Sequence, residues 1–342
     1  MKILSFIVPS YNCSAFLSKC IDSMLHPDLL EQLEIIIVND GSVDDTALVA
    51  EGFVERYPQT VRLINQENKG HGGALNTGCA AACGRFLKVV DADDWVETDN
   101  LPALLTFLSS CNSDVVLTHH YTEDISTGEV RKWKTYPKAF GKPYTLEHIM
   151  LQPHNFDRGL TFHGIIYRTK FYQAQHITLS EKVFYEDHEY ATFACCKADT
   201  VYPLDLFLYH YRIGDVEQSV SDENQLKRLS HMETVLSRFL KEYKRLPSSN
   251  GGRAYFEMKA QGVLLAYITT VMLVEPNRKK GRQLGKAMME KFRDRIPAAY
   301  EHSIMQYRVF RLMNCLHFQK TFWDRILHSR LYRKIRRSHD FD

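Results

Sequence analysis

Short β-branched runs alternate along the first part of the chain with stretches whose apolar residues recur every three or four positions. Residues 3–8, 34–38, 61–65, 86–90 and 114–119 read as strands, and 15–24, 44–56 and 101–109 read as helices. This alternation predicts βαβ units, a parallel sheet and helices on its faces. Residues 202–212 read as a further strand pair. Each strand runs into polar or glycine-rich residues, so ligand chemistry is expected beyond the carboxyl ends of the strands.

The pattern changes across the polar stretch 214–224. From there Leu226, Leu229, Met232, Leu236, Phe239, Leu240 and Tyr243 recur at helical spacing, and turn chemistry at 247–252 ends that helix. Further helices are predicted at 255–273 and 283–295, and the remaining residues are aromatic and basic without strand signal. The expected organisation is an α/β domain over 1–220 and a smaller, all-helical domain over 221–342, basic at its end.

Composition changes this picture in two respects. With 44% apolar and 25% charged residues, the 342-residue chain is an ordinary globular one, and disordered or fibrous classes are excluded. The net charge of +2 hides an asymmetry: residues 276–338 carry 17 Lys and Arg against 4 Asp and Glu, or +13, which leaves −11 elsewhere. The longest apolar run, 262–274, contains Thr269 and Thr270 and falls short of the roughly 18 residues that span a bilayer, so no transmembrane helix is expected. Lys2 precedes a short apolar run stopped by Pro9, too brief for a signal peptide, so a cytoplasmic location is expected. The eight cysteines show no CxxC pairing and are expected to be reduced, buried and small rather than metal ligands.

Two short motifs carry candidate chemistry. Asp91, Ala92, Asp93 and Asp94 directly follow the predicted strand 86–90, and carboxylates crowded on a turn favour a hard divalent cation. A solvated acidic turn is the plain alternative. Asn39, Asp40, Gly41 and Ser42 follow the strand 34–38; a carboxylate there can accept from a base N–H, and Gly41 permits a tight turn. The plain alternative is a helix N-cap through Ser42 or Asp44.

Taken in order, SFIVPSYN, IIIVNDGSVDDT, NKGHGGALNTG and VVDADDW across residues 5–95 resemble the family 2 inverting glycosyltransferases. The resemblance continues through GIIYR at 164–168, YED at 185–187 and YHYRIGDVEQSVS at 209–221, about two thirds of the chain. It implies a GT-A catalytic domain with a Rossmann-like mixed sheet over 1–220, followed by the helical domain. The implied reaction moves a hexose or N-acetylhexosamine from a UDP-sugar to a hydroxyl of a glycan or lipid-linked saccharide, with Mn2+ or Mg2+. The resemblance implies Pro9, Tyr11 and Asn12 beside base and ribose, Asp40 on the uracil edge, Asp91 toward the ribose and Asp93 on the metal. Gly41, Ser42, Lys69, Gly70, Asn76 and Ala92, in the same motifs, complete the expected nucleotide-sugar set. Asp187 would be the base, with Glu186 supporting it or binding acceptor, and Arg212, Ser219 and Ser221 would touch the diphosphate. Ala74, Leu75 and Asn76 stand where many members have Ala-Arg-Asn, so Lys69, His71 or Arg212 would have to supply the missing cation.

The chemistry is self-consistent. Inverting displacement of a sugar from a nucleotide diphosphate needs a base on the face opposite the leaving group and positive charge on the departing diphosphate. No covalent enzyme nucleophile is required. GHGG at 70–73 lacks the third glycine of a dinucleotide fingerprint and no P-loop is present. A nucleotidyltransferase would carry a basic glycine-rich loop where residues 9–14 have no basic residue. His119 and His120, adjacent on a strand, point to opposite faces and read as one wall residue and one surface residue. A catalytically inactive sugar-nucleotide-binding or scaffolding protein on the same fold is the competing class.

In the basic tail, Phe322, Trp323, Ile326, Leu327, Leu331, Tyr332 and Ile335 interleave with seven Lys and Arg between 320 and 338. The composition suits an amphipathic helix on an anionic membrane at the inner face. Packing on the preceding helices and a homodimer contact with the acidic domain are the other readings. Nucleic acid is excluded as a partner by the acidic remainder of the chain.

Overall fold

The computed structural model describes residues 2–138, 140–214, 222–247 and 251–328. Among the described residues nine strands form one sheet: β1 (Leu4–Ser10), β2 (Leu33–Asn39), β3 (Val61–Asn65), β4 (Phe86–Val89), β5 (Trp95–Val96), β6 (Val115–Asp124), β7 (Val130–Trp133), β8 (Ile165–Arg168) and β9 (Val201–Ile213). Their order is β3-β2-β1-β4-β8-β6-β9-β5, with β7 paired to β6. β1, β2, β3 and β4 are parallel, β8 enters antiparallel between β4 and β6, and β9 runs parallel to β6. The sheet is therefore mixed, as the family resemblance implies and the bare alternation does not. Every residue of β1 and β2 is buried, the pattern of strands covered on both faces.

Among the described residues seven α-helices belong to this part: α1 (Ser14–Met24), α2 (Thr46–Arg56), α3 (His71–Ala81), α4 (Leu101–Ser110), α5 (Leu146–Leu151), α6 (Thr169–Ala174) and α7 (Asp187–Phe193). α1 buries Leu17, Cys20, Ile21 and Met24, spaced as a helical stripe demands. α3 was not legible from periodicity. Its buried face is Gly72, Gly73, Ala74, Leu75, Gly78 and Cys79, and a Cβ on Gly78 would stand 2.3 Å from Ile7 Cγ2. Small residues let this helix lie close on the sheet, at the cost of the usual apolar signature.

Residues 202–212 are one strand, not a pair. β9 runs unbroken for 13 residues, pairing β6 on one side and β5 on the other. His119 and His120 also differ from expectation: both are buried, at 0% and 6% exposure, because β6 lies inside the sheet. All eight cysteines are free thiols, and Cys83 and Cys315 are exposed rather than buried.

The chain divides into two compact units, Met1–Gln218 with Leu246–Phe256, and Ser219–Arg245 with Glu257–Asp342. The first takes back a segment beyond the sheet: Tyr255 Oη donates to Ala191 O at 2.7 Å. The second is helical, with α8 (Asp222–Lys227), α9 (Leu229–Glu242), the greater part of α10 (Gly251–Thr269), α11 (Arg278–Arg295), α12 (Pro297–Cys315) and α13 (Lys320–His328). A π-turn, Thr270–Val274, extends α10. Asn314 joins it to α12, donating to Met272 O at 2.7 Å while accepting from Arg282 at 2.7 Å. Gly251–Val274 contains an 18-residue window long and apolar enough to cross a membrane by composition alone, longer than the apolar run read from sequence. Half of that window is buried, including Val263, Leu264, Tyr267 and Ile268.

Candidate active site

The carboxyl ends of β1 and β2 open into two loops that clip each other. Asn12, at φ +47°, donates its N–H to Ser42 Oγ at 3.0 Å, and its Oδ1 accepts from Val43 N–H at 2.9 Å. Asp44 accepts from Ser14 N–H and from both donors of Thr46. Desolvation opposes its ionisation, but those bonds carry its carboxyl down to about 2. Pro9 is buried in β1 while Tyr11 is half exposed at the mouth. Asp40 is 2% exposed, and its Oδ1 accepts from Gln66 Nε2 at 2.6 Å and Lys69 N–H at 2.8 Å. Gly41, at φ +73°, would set a Cβ 2.9 Å from Asn68 N, so a side chain there would push the loop off Asp40.

At the end of β4, Asp91, Ala92, Asp93 and Asp94 take different environments. Asp94 is buried, accepting from Tyr209 Oη at 2.5 Å and Arg212 N–H at 2.7 Å. Burial, then the charges of Asp91 and Asp93, raise its pKa well above the carboxylate range. The Asp93 side chain is 42% exposed, 4.0 Å from the Arg212 guanidinium. Partial burial and Asp91 push it up to about 6. A cavity beside Asp93 is lined by Phe16, Lys19, Trp95 and Arg212, two cations among acids. The raised pKa values of Asp93 and Asp94 record carboxylates crowded on one turn, a repulsion that a divalent cation would relieve. Among the described residues no group of three His, Cys, Asp or Glu makes a complete metal site. Asp93 is a carboxylate that would fit a Mg2+ or Mn2+ ion, whose remaining ligands would have to come from phosphate and water.

The third wall is the strap that enters α7. Its backbone is held by Lys182 N–H donating to Lys69 O at 2.8 Å and by Asn76, which donates to Leu179 O at 3.0 Å and accepts from Leu179 N–H at 2.8 Å. Asn76, expected at the nucleotide-sugar, thus uses both amide atoms on the strap. Ser180 gives its N–H and hydroxyl to the buried Glu189 at 2.8 and 2.7 Å. Gly70, at φ +77°, lies under Lys182, where a Cβ would be 2.7 Å from the Lys182 nitrogen. The Lys69 side chain is exposed. Glu186 is buried at the N-cap of α7, and Asp187 is the first residue of that helix. Burial, followed by the charges of Asp94, Asp91, Asp187 and Asp93, raises the pKa of Tyr211. Ser219 and Ser221 lie outside the described residues.

Two residues take roles that the sequence did not give: His71, expected only as one of three possible phosphate cations, and Lys88, not singled out at all. His71 bridges carboxylates, with Nε2 2.8 Å from Asp91 and Nδ1 2.5 Å from Glu186. Burial alone would lower its pKa, but Asp91 and then Glu186 raise it well above 6.5. Lys88, fully buried in β4, donates to the carbonyls of Phe162, His163 and Ile165 at 3.0, 2.7 and 3.2 Å. It thereby fixes the turn that stacks His163 on Tyr211, ring centroids 4.2 Å apart. Burial draws its ammonium down to about 7, against the charges of Asp91 and Asp94. A lysine inside the apolar run Phe86 to Val90 was the available signal.

Residues 5–174 match the family described as Glycosyl transferase family 2. The chain is 30% identical over 220 residues to the uncharacterized glycosyltransferase EpsJ of Bacillus subtilis, covering 62% of this chain and 61% of EpsJ. It is 35% identical over 122 residues to chondroitin synthase of Escherichia coli, covering 36% of this chain and 17% of the synthase. The matches to EpsJ, to GlyG of Streptococcus pneumoniae and to EpsH of B. subtilis span 61%, 48% and 60% of those relatives, so the chain covers about half to three fifths of their lengths. The structure of S. aureus TarS 1–349 in complex with UDP-GlcNAc superposes with a TM-score of 0.61 at 20% identity, over 92% of this chain and 89% of that one, a likeness of fold. With the ordered motifs on one sheet edge and the sheet order of that fold, the chain belongs to glycosyl transferase family 2 and has the GT-A architecture.

Proposed function

We propose that this chain is an inverting glycosyltransferase that moves a hexose or N-acetylhexosamine from a UDP-sugar to a hydroxyl of a glycan or lipid-linked saccharide, in cell-surface polysaccharide synthesis. The observation that carries the reading is the His71 ring joining Asp91, at the end of β4, to Glu186, the neighbour of Asp187, on the loop that also bonds Asp40 through the Lys69 N–H. Asp187 takes the proton of the acceptor hydroxyl as its oxygen attacks the anomeric carbon. The bond to the diphosphate breaks on the opposite face, and UDP leaves with that electron pair. Asp40 accepts from the uracil N–H, and Asp91 faces the ribose. Asp93 would hold Mg2+ or Mn2+, which supplies positive charge to the departing diphosphate; Arg212 adds a fixed cation beside it. Retention of these carboxylates speaks against an inactive binding protein, which has no use for a base.

UDP-GlcNAc, bound in the TarS structure, is the first donor to test. Titration with UDP and Mn2+ should show binding that EDTA weakens, and a panel of UDP-sugars should show slow hydrolysis of one of them. No UDP binding, or binding indifferent to EDTA, would sink the metal-dependent UDP-sugar reading. Binding without turnover of any donor favours the inactive protein.

We also infer peripheral contact with an anionic membrane on the cytoplasmic face. On α12 and its C-cap, Met305, Val309, Leu312 and Leu316 are 66%, 42%, 60% and 60% exposed at spacings of four, three and four, one apolar stripe beside the exposed Arg308 and Arg311. Phe318 and Phe322, stacked at 4.4 Å, continue it. The exposed apolar stripe beside the basic 276–338 segment supports a lipid surface, into which apolar side chains insert while the basic ones meet anionic headgroups. The tail beyond residue 328 lies outside the described residues. Flotation with phosphatidylglycerol vesicles should be strong at low salt, weak at high salt and lost with Leu312→Glu plus Leu316→Glu. Unchanged flotation of that variant, or a loss of self-association instead, refutes the contact.

A further inference from the structure

We propose that His71 is a positioning residue, an ion bridge that locks the carboxylate facing the donor to the start of the helix carrying the base. The inference rests on the transferase reading above. The ring lies between two carboxylates that are remote in sequence, Asp91 at the end of β4 and Glu186 at the N-cap of α7, with contacts of 2.8 and 2.5 Å. A neutral imidazole has one N–H, so donating to both carboxylates requires the imidazolium.

The local backbone is built for this reach. Gly70 and Gly72 flank His71, and a Cβ on either would collide with the strap: 2.7 Å from Lys182 N at Gly70, 2.2 Å from Ser180 O and 3.0 Å from Glu186 Cγ at Gly72. Glycine on both sides lets the strap lie close enough for one ring to span the gap. His71 is also the first residue of α3, where the helix dipole disfavours a cation. The two carboxylates offset that penalty, so the charge serves them.

This geometry answers where the missing cationic contact goes. Both ring nitrogens are engaged, so a diphosphate could reach His71 only by displacing a carboxylate. His71 acts instead through its partners. Holding Glu186 fixes the backbone from which Asp187 projects, and holding Asp91 sets the opposite wall. A displacement of about 1 Å between base and donor costs on the order of 100-fold in rate.

The test uses the full chain as wild type, His71→Asn, Glu186→Gln and the double variant. UDP affinity in the presence of Mn2+, kcat and KM for UDP-sugar turnover, and thermal unfolding are measured for each. Each single variant should lower kcat by about 10- to 100-fold with UDP affinity within about threefold. The double variant should be no slower than the worse single, because either change breaks the same bridge. Added imidazole should restore part of the rate to a folded His71→Gly variant. Unchanged kcat, multiplicative losses in the double variant, or a loss confined to UDP affinity but absent for uridine would overturn the inference, the last by making His71 a phosphate contact. A wild type that neither binds UDP nor cleaves a UDP-sugar overturns the transferase reading and this inference with it. An active wild type beside unimpaired variants overturns this inference alone.

Discussion

Adding one methyl group at Gly72 tests the packing on which the site depends. By helix propensity alone, Gly→Ala inside α3 should stabilise the protein by about 1 kcal/mol. The surroundings predict the reverse. The new Cβ would stand 2.2 Å from Ser180 O and 3.0 Å from Glu186 Cγ, so the Ser180 carbonyl must retreat by about 1 Å to reach ordinary contact. It has little room to do so, because Glu189 holds the Ser180 N–H and hydroxyl and Asn76 holds Leu179. Overpacking of this kind costs about 1–3 kcal/mol, so the net change is a loss of up to about 2 kcal/mol. Turnover is expected to fall further, by about 100-fold, because the strap leads directly into Glu186 and Asp187. Gly52→Ala is the control: no atom lies within 4 Å of its Cβ, in the middle of α2, and it should gain about 0.5–1 kcal/mol with full turnover. Urea unfolding midpoints and UDP-sugar turnover of the two variants decide the matter. If Gly72→Ala is as stable and as active as Gly52→Ala, close approach of the strap is not what positions the base.

Asp187→Asn should keep UDP affinity within a few-fold while lowering kcat by at least about 100-fold; full turnover would move the base elsewhere, and Glu189, bonded to Ser180, is not a ready replacement. Asp93→Ala should abolish the part of UDP binding that EDTA removes from the wild type, read by calorimetry with and without Mn2+. Asn76→Ala removes both bonds to Leu179 and should cost about 1–3 kcal/mol in urea unfolding, with turnover falling alongside. For pH, Asp91, Asp93 and Glu186 face His71, whose folded pKa lies well above 6.5, so the folded chain keeps a proton that the unfolded chain releases. That contribution is complete below the unfolded value near 6.5 and is lost as pH rises through the raised one. Stability should therefore decline from about pH 7 upward, and His71→Asn should flatten the decline; a parallel curve would contradict the assigned charge.

The strands at residues 4–10, 33–39 and 86–89 were legible as apolar runs because each is buried along its whole length and tolerates little else, whereas 61–65 was legible from its apolar residues although only Val61 is buried. The acidic turn at 91–94 and the YED at 185–187 were legible as motifs, since the chemistry of a diphosphate and a hydroxyl demands carboxylates whatever surrounds them. Other features had no local cause to read. α3 is a helix although glycines occupy 72, 73 and 78, because contact with Ile7 and the strap outweighs their poor propensity. β8 runs antiparallel and β9 is one strand of 13 residues, decided by neighbours far along the chain. Asn76 belongs to the motif set by sequence and to the strap by contact. The chain alone thus determined which chemical groups are present and that they follow strands. Only the tertiary structure decided which carboxylates meet, since His71 reaches across 20 residues to Asp91 and 115 to Glu186, and such proximity comes from the packing of whole elements rather than from local pattern.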